Sequence, residues 1–373
     1  MSRFLYSYAT GSDPRELVNT SLSQLGDIPE TASLGVIYLT DALAREAEHL
    51  LHLLEQATGV RQWIGTVGLG VAATGIEIYD QPAMVVMLLD YPEEDFRLIP
   101  AQMEGRESFA RDHRQWIAER TPTFGVIHGD PTNPSAPELI ENLSASVGEG
   151  FFVGGLTSSQ SLQIQISNGI VSGGVSGVMF AGSVDVLAGH TQGCSPIGPI
   201  HEVSDARGNV IAEIDGRSAL SVLKEDVGEV LARDLNRLGG YVFAGLPISH
   251  SDTGDYLVRN LIGIDVTREM IAIGDLIKPG DSIMFCRRDG NTARADMIQM
   301  LETLKQRAGD RSIRGGVYYS CLGRGRHQFG EDSEELKMIT EVLGDFPLAG
   351  FFANGEIFHS RLYGFTGVLG LFL

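Results

Sequence analysis

Three stretches of this 373-residue chain carry residue types that can do chemistry. The first is Gly189–Pro199, GHTQGCSPIGP, which brings His190, Gln192 and Cys194 close together in the chain. Alternate side chains of an extended strand share a face, so these three would line one surface. An imidazole beside a thiol can lower its pKa and make a nucleophile; a buried cysteine serves equally as a small apolar residue. The second is Gly315–Gly330, where Cys321 ends an apolar run and Gly323-Arg324-Gly325-Arg326 follows. Arginines between glycines suit a tight loop that aims guanidinium donors at a carboxylate or phosphate. The acids of Glu331–Glu335 can neutralise them instead. The third is FFANGE, in which Asn354-Gly355 signals a hairpin turn and Glu356 offers a partner to Arg324 or to a ligand amine. The candidate ligand-binding set is His190, Cys194, Cys321, Arg324, Arg326, Asn354 and Glu356, with no catalytic or metal set assigned.

Other motifs argue against common chemistries. Gly68-Leu-Gly70-Val-Ala-Ala73 has the letters of a dinucleotide fingerprint, but TGIEIYDQPAMVVMLLD after it alternates like a strand. Without a helix N-terminus there is nothing to hold a pyrophosphate. A Walker loop, a nucleophile elbow, HExxH and paired Cys/His metal spacing are all absent from the sequence. The 48 acidic against 28 basic residues, a formal charge of −20, exclude the basic stripe that a nucleic-acid partner requires. Three cysteines, far apart and without CxxC, suggest a reducing compartment. The N-terminus lacks a signal-peptide core, and no apolar run approaches the ~18 residues of a membrane helix. The expectation is a soluble cytoplasmic protein with no membrane partner.

The elements that position these residues recur along the chain. LGVIYLT, TFGVIHGD and GGVYYSC are similar apolar strands, each followed by a polar loop and an amphipathic stretch: Asp41–Ala57, Ser135–Val147 and Ser333–Leu343. Each then enters a strand centred on glycine (QWIGTVG, FFVGGLT, PLAGFFANG) and a closing apolar strand (AMVVMLLD, GGVSGVMFAG, GFTGVLGLFL). Asp41 is placed to cap its helix, and Ser333 to open a capping box. A worn fourth copy is read from Ala232, through YVFAGLP to YLVRNLIGID. The expected fold class is α+β, built from duplicated strand-helix-hairpin units that form largely antiparallel sheets covered by helices. The closing strands, apolar on both faces, require cover on both sides.

Two of the loaded stretches resemble a known family. Ser320-Cys321-Leu322-Gly323-Arg324-Gly325, with Leu348–Ile357 downstream, resembles the C-terminal half of FIST domains. Val36–Thr40 with Trp63-Ile64-Gly65 resembles the N-terminal module, and Gly193–Pro199 with Glu213–Leu220 is similar to the segment that joins them. The resemblance implies a FIST N-terminal module over 1–220 and a C-terminal module over 221–373. It also implies an intracellular small-molecule sensor in signal transduction, with an amino-acid-like ligand and a separate output protein as partner. A thiol-dependent acyl or amide transferase or hydrolase using Cys194 or Cys321 is the enzymatic alternative, and the sequence shows no nucleophile–base–oxyanion set to support it. Some family members bind haem and respond to nitric oxide. No cofactor is expected here, and haem, with His190, His250 or Cys194 as axial ligand, is the alternative. One departure from the family is Ile64-Gly65-Thr66, where a glycine-cysteine step is usual.

Overall fold

A computed structural model describes residues 3–103, 107–147, 150–232, 238–248 and 256–373. The chain forms two compact units, one of residues 1–191 with 296–373 and one of residues 192–295. The expected module boundary at 220 lies within the second, at the start of the helix Ala219–Ala232.

The larger unit contains three six-stranded sheets of one design. Their opening strands are Leu34–Thr40, Phe124–Gly129 and Gly315–Cys321. Each runs parallel to a second strand: Gln62–Gly68, Phe151–Leu156 or Leu348–Ala353. The connections carry the helices Ala47–Thr58, Ala136–Ser146 and Glu334–Leu343. The closing strands Ala83–Leu89, Val175–Phe180 and Thr366–Phe372 return antiparallel to the opening strands, and every residue of the three is buried. A further strand flanks each closing strand: Leu5–Thr10, Phe96–Gln102 and Val186–Gln192. The α+β class and the duplicated units are therefore present.

What the sequence did not reveal is an exchange between the sheets. After its second strand, each copy crosses to a neighbouring sheet before returning. The hairpin Gly70–Ala73 with Ile76–Tyr79 joins the third sheet, Ile164–Ser167 with Ile170–Ser172 the first, and Glu356–His359 with Arg361–Tyr363 the second. The exchange is cyclic. It also corrects the hairpin expected at Asn354-Gly355, because Glu356–His359 pairs with Phe151–Leu156 and Arg361–Tyr363, so the turn carries the chain out of one sheet and into another.

The shared glycine has one physical cause in all three copies. Gly65, Gly154 and Gly350 lie opposite Ile37, Ile127 and Tyr318 in the parallel registers. A Cβ there would come within 1.8, 1.8 and 1.9 Å of the carbonyl oxygens of those residues, so only glycine fits. The inward faces of the sheets form one apolar core that includes Val36, Val126 and Val317.

Both expected caps are corrected. Asp41 begins a 3₁₀ segment, Asp41–Glu46, that precedes the α-helix, and its carboxylate accepts from Ser159, Ser161 and the Gln160 amide. Ser333 has φ +61 and makes no cap bond; its hydroxyl accepts from the Glu77 amide.

The smaller unit is a closed ring of strands: Ser282–Arg288, His201–Arg207, Val210–Ile214, Met270–Ile273, Tyr256–Asp265, Val242–Pro247 and back to Ser282–Arg288. The stretches read as a fourth copy are neighbours in this ring. Val242–Pro247 and Tyr256–Asp265 pair antiparallel, and neither has a parallel partner.

Candidate functional site

The Gly323–Arg326 turn points its two arginines in opposite directions. Arg324 is fully buried, and its Nε donates to Glu335 Oε1 at 2.7 Å. Glu335, also 0% exposed, accepts three further hydrogen bonds, from the Tyr318 and Ser320 hydroxyls and the Gly325 amide. Its charge is thus met from every side, and the Arg324 guanidinium lies 5.0 Å from the Phe329 ring centre. The partner of Arg324 comes from the acidic run after the turn, and the charge serves the turn itself. Arg326 faces outward, bonded to Asp80 Oδ2 at 2.6 Å and stacked over the Tyr79 ring at 4.5 Å.

Cys321 and Glu356 lie against each other. Glu356 is fully buried, and its Oε2 accepts from the Thr366 amide and hydroxyl at 3.1 and 2.8 Å. Burial raises its pKa to about 8, opposed by Thr366 and more weakly by Arg324 and the Cys321 thiol. Burial likewise pushes the Cys321 thiol far up, with Glu356 adding to the effect, and takes the Cys286 thiol up to about 12. A thiol nucleophile needs the opposite shift.

The remaining candidates are dispersed. The His190 ring packs on Phe358 and Tyr363, with ring centres 4.6 and 5.3 Å apart. Asn354 is an exposed turn residue whose amide bonds Leu156 O. Cys194 belongs to the smaller unit, in the strand Cys194–Pro196 that pairs with Ser282–Arg288. His250 lies outside the described residues.

A cleft of about 410 Å³ opens at the carboxyl ends of the first and third opening strands. Its lining draws on all three copies: Thr40, Asp41, Tyr79 and Asp80 from the first, Gln160 from the second, Leu322, Arg326 and His327 from the third. Strand carboxyl ends are a recurrent place for ligands in folds with parallel strands, and the volume suits a small molecule. Asp41 is held below its ordinary pKa: burial works against the charge, but the Ser159 and Ser161 hydroxyls and the amides of Gln160 and Ser161 outweigh it. Its carboxylate is therefore committed to the wall. Asp80, in contrast, has a side chain 72% exposed and bonds Arg326 on the cleft wall. The lining is mixed, with Asp41, Asp80, Arg326 and His327 beside the apolar Ala42, Leu69, Pro82 and Leu322. Arg326 is the residue of the sequence-derived set that lines this cleft. Asp80 was missed, although Asp80-Gln81-Pro82 between two apolar strands is a turn signal that places a carboxylate at a strand end.

Two further polar clusters were not foreseen. At the centre of the apolar core, Tyr38, His128 and Tyr319 occupy the same position in the three opening strands, each one residue beyond the residue opposite the glycine. The Tyr38 hydroxyl lies 3.0 Å from His128 Nε2 and 2.7 Å from the Tyr319 hydroxyl, while the buried His128 Nδ1 has no hydrogen-bond partner. Burial takes the His128 pKa down to about 3. In the smaller unit, His201 lies between Asp215 (2.6 Å) and Asp226 (3.0 Å). Burial opposes its charge, but the two carboxylates hold its pKa above the usual value.

Residues 33–217 match the FIST N domain and residues 219–359 the FIST C domain. The chain is 30% identical over 361 residues to the uncharacterized protein Rv0628c of Mycobacterium tuberculosis strain H37Rv, covering 92% of each chain. It is 28% identical over 382 residues to the uncharacterized protein Mb0898c of Mycobacterium bovis, covering 98% of this chain and 97% of the relative.

Proposed function

Since the chain belongs to the FIST family, whose domains are associated with signal transduction and sensing, we propose that it is a receptor for a small amino-acid-like ligand. It would act in the cytoplasm and pass its signal to a separate protein. The observation that carries the reading is the cleft of about 410 Å³, built from all three copies, with Arg326 and Asp80 on its wall. A guanidinium stacked on an aromatic ring is preorganised for a carboxylate, and an exposed aspartate suits an ammonium group. A ligand at the junction of three copies touches elements that are distant in the chain, so its binding can alter how they pack. Among the described residues no helix is long and apolar enough to cross a membrane.

The test is calorimetry of the full chain against the proteinogenic amino acids. At least one should bind, and Arg326→Ala should weaken that binding at least tenfold with the melting temperature little changed. Failure of all twenty to bind, or binding indifferent to Arg326→Ala, would overturn the assignment.

A further inference from the structure

His201 is held at both ring nitrogens by carboxylates. Its Nδ1 lies 2.6 Å from Asp215 Oδ2 and its Nε2 3.0 Å from Asp226 Oδ2. A neutral imidazole carries one N–H and donates to one of them; the imidazolium donates to both. The three residues come from separate elements of the smaller unit. His201 opens the strand His201–Arg207, Asp215 follows the strand Val210–Ile214, and Asp226 lies on the helix Ala219–Ala232.

The two carboxylates differ in what else holds them. The Asp215 side chain is 40% exposed, and its Oδ1 accepts from the Glu202 amide while its own amide donates to the Glu202 carbonyl, both at 2.9 Å. The Asp226 side chain is 7% exposed, and among the described residues His201 is its one hydrogen-bond partner. A Cβ at Gly198 would come within 2.3 Å of Asp226 Oδ2, so the Gly193–Pro199 stretch supplies the room for this carboxylate. Gly228, at φ +77, interrupts the helix two residues after Asp226. Asp226 thus lies in a last helical turn, where a carboxylate is unfavourable without a cation. Arg217 attracts both carboxylates but donates to the exposed Glu225, and the strand Ser282–Arg288 presents the apolar Ile283 opposite His201.

We propose that His201 is a proton-operated latch, which ties the helix Ala219–Ala232 to the strand ring while protonated and releases Asp226 when it loses its proton. The neutral ring keeps its N–H on Asp215, the closer and better anchored partner. Its Nε2 lone pair then faces Asp226, and a buried carboxylate without a donor is costly to keep. Gly228 gives the helix end the freedom to follow. Burial opposes the charge on His201, but the hydrogen bonds and charges of Asp215 and Asp226 outweigh it and hold its pKa above 6.5. The latch is therefore closed below that value and opens as pH rises through the raised one. It lies wholly within the smaller unit and is independent of the cleft.

The experiment is NMR titration and hydrogen exchange of the full chain from pH 5.5 to 9. The His201 ring, assigned through the backbone, should titrate above 6.5. Across that titration the exchange of amides in 219–228, corrected for the intrinsic rate, should rise about fivefold or more, while the helix Ala47–Thr58 shows no step. Asp226→Asn offers the neutral ring a donor for Nε2, so this variant should exchange slowly on both sides of the titration. The proposal falls if His201 titrates at or below 6.5, if the wild-type helix shows no step, or if Asp226→Asn keeps the wild-type step.

Discussion

Gln165 and Glu356 occupy the same place in two of the three sheets. Each lies on an exchanged strand, opposite the residue that follows the core glycine: Gln165 faces Thr66 and Glu356 faces Gly155. Each also reaches back to the start of its own copy's closing strand. Gln165 donates to Gly174 O at 3.0 Å and accepts from Ser176 at 2.9 Å; Glu356 accepts from Thr366. In the remaining sheet the position is Val71, opposite Phe351. The site thus accepts an amide or an apolar side chain, and a carboxyl there must stay mostly protonated.

Glu356→Gln should therefore stabilise the protein. Burial raises the folded pKa to about 8, against an unfolded value near 4.5. The unfolded chain ionises first, so stability is lost as pH rises from about 4.5 to 8. Glutamine keeps an acceptor for Thr366 and does not titrate. The expected gain at pH 8 is about 1–3 kcal/mol, the usual cost of a poorly satisfied buried polar group, and it should vanish near pH 4.5. Chemical denaturation across that range checks it; a variant less stable than wild type at pH 8 would refute it.

Arg324 should prove structural. Arg324→Met keeps bulk in the site but leaves Glu335 without its cation, and breaking a buried pair in this way costs about 3–5 kcal/mol. Ligand binding by the folded fraction should persist, since Arg324 is not part of the cleft lining. Denaturant midpoints measure the first effect and calorimetry of the variant below its melting temperature the second. A loss under about 1 kcal/mol would contradict the buried network.

The sequence reading caught what is local. The opening, second and closing strands were visible because each is a continuous apolar run and the middle one carries a glycine at a constant place. The stretch after the fingerprint letters, read as strand from its alternation, holds the strands Ile76–Tyr79 and Ala83–Leu89 and no helix. The exchanged hairpins were not legible, because four residues such as Ile164–Ser167 do not specify which sheet edge they will complete. The Tyr38–His128–Tyr319 contact joins residues 90 and 281 positions apart in a pattern no local period reveals. Arg324 and Arg326 look alike in sequence; the two residues between which they divide, Glu335 and Asp80, come from different copies.

Gly350→Ala tests the origin of the shared glycine. The new Cβ would sit 1.9 Å from the Tyr318 carbonyl oxygen, which belongs to the adjacent strand and cannot swing away. Destabilisation should exceed about 4 kcal/mol, the range reserved for core disruption, and soluble yield should fall with it. Gly75→Ala makes a useful contrast: its φ of +68 brings strain, but the nearest contact is Thr340 at 3.7 Å. A loss at Gly350 no larger than that at Gly75 would show that the neighbouring strand yields to the new Cβ and that the close approach is not what demands glycine there.

His128 should set the acid limit of the fold. Burial takes its folded pKa to about 3, whereas the unfolded side chain titrates near 6.5. Between those values the unfolded chain binds a proton that the native core refuses, so stability falls as pH drops from about 6.5 towards 3. This runs opposite to Glu356, whose burial penalises high pH. His128→Gln removes the titration and leaves an amide that can still bond the Tyr38 hydroxyl. At pH 7.5 the variant should be no more stable than wild type, having exchanged one packed side chain for another. As pH falls to 4.5 its disadvantage should shrink by about 1–3 kcal/mol, since roughly two pH units below the unfolded pKa are each worth about 1.4 kcal/mol. Denaturation midpoints of both proteins at pH 7.5, 6 and 4.5 decide it. Curves that stay parallel would mean that His128 takes up its proton in the folded state, and that the space beside Nδ1 is wetter than the surrounding Tyr38, Tyr319 and Phe351 rings imply.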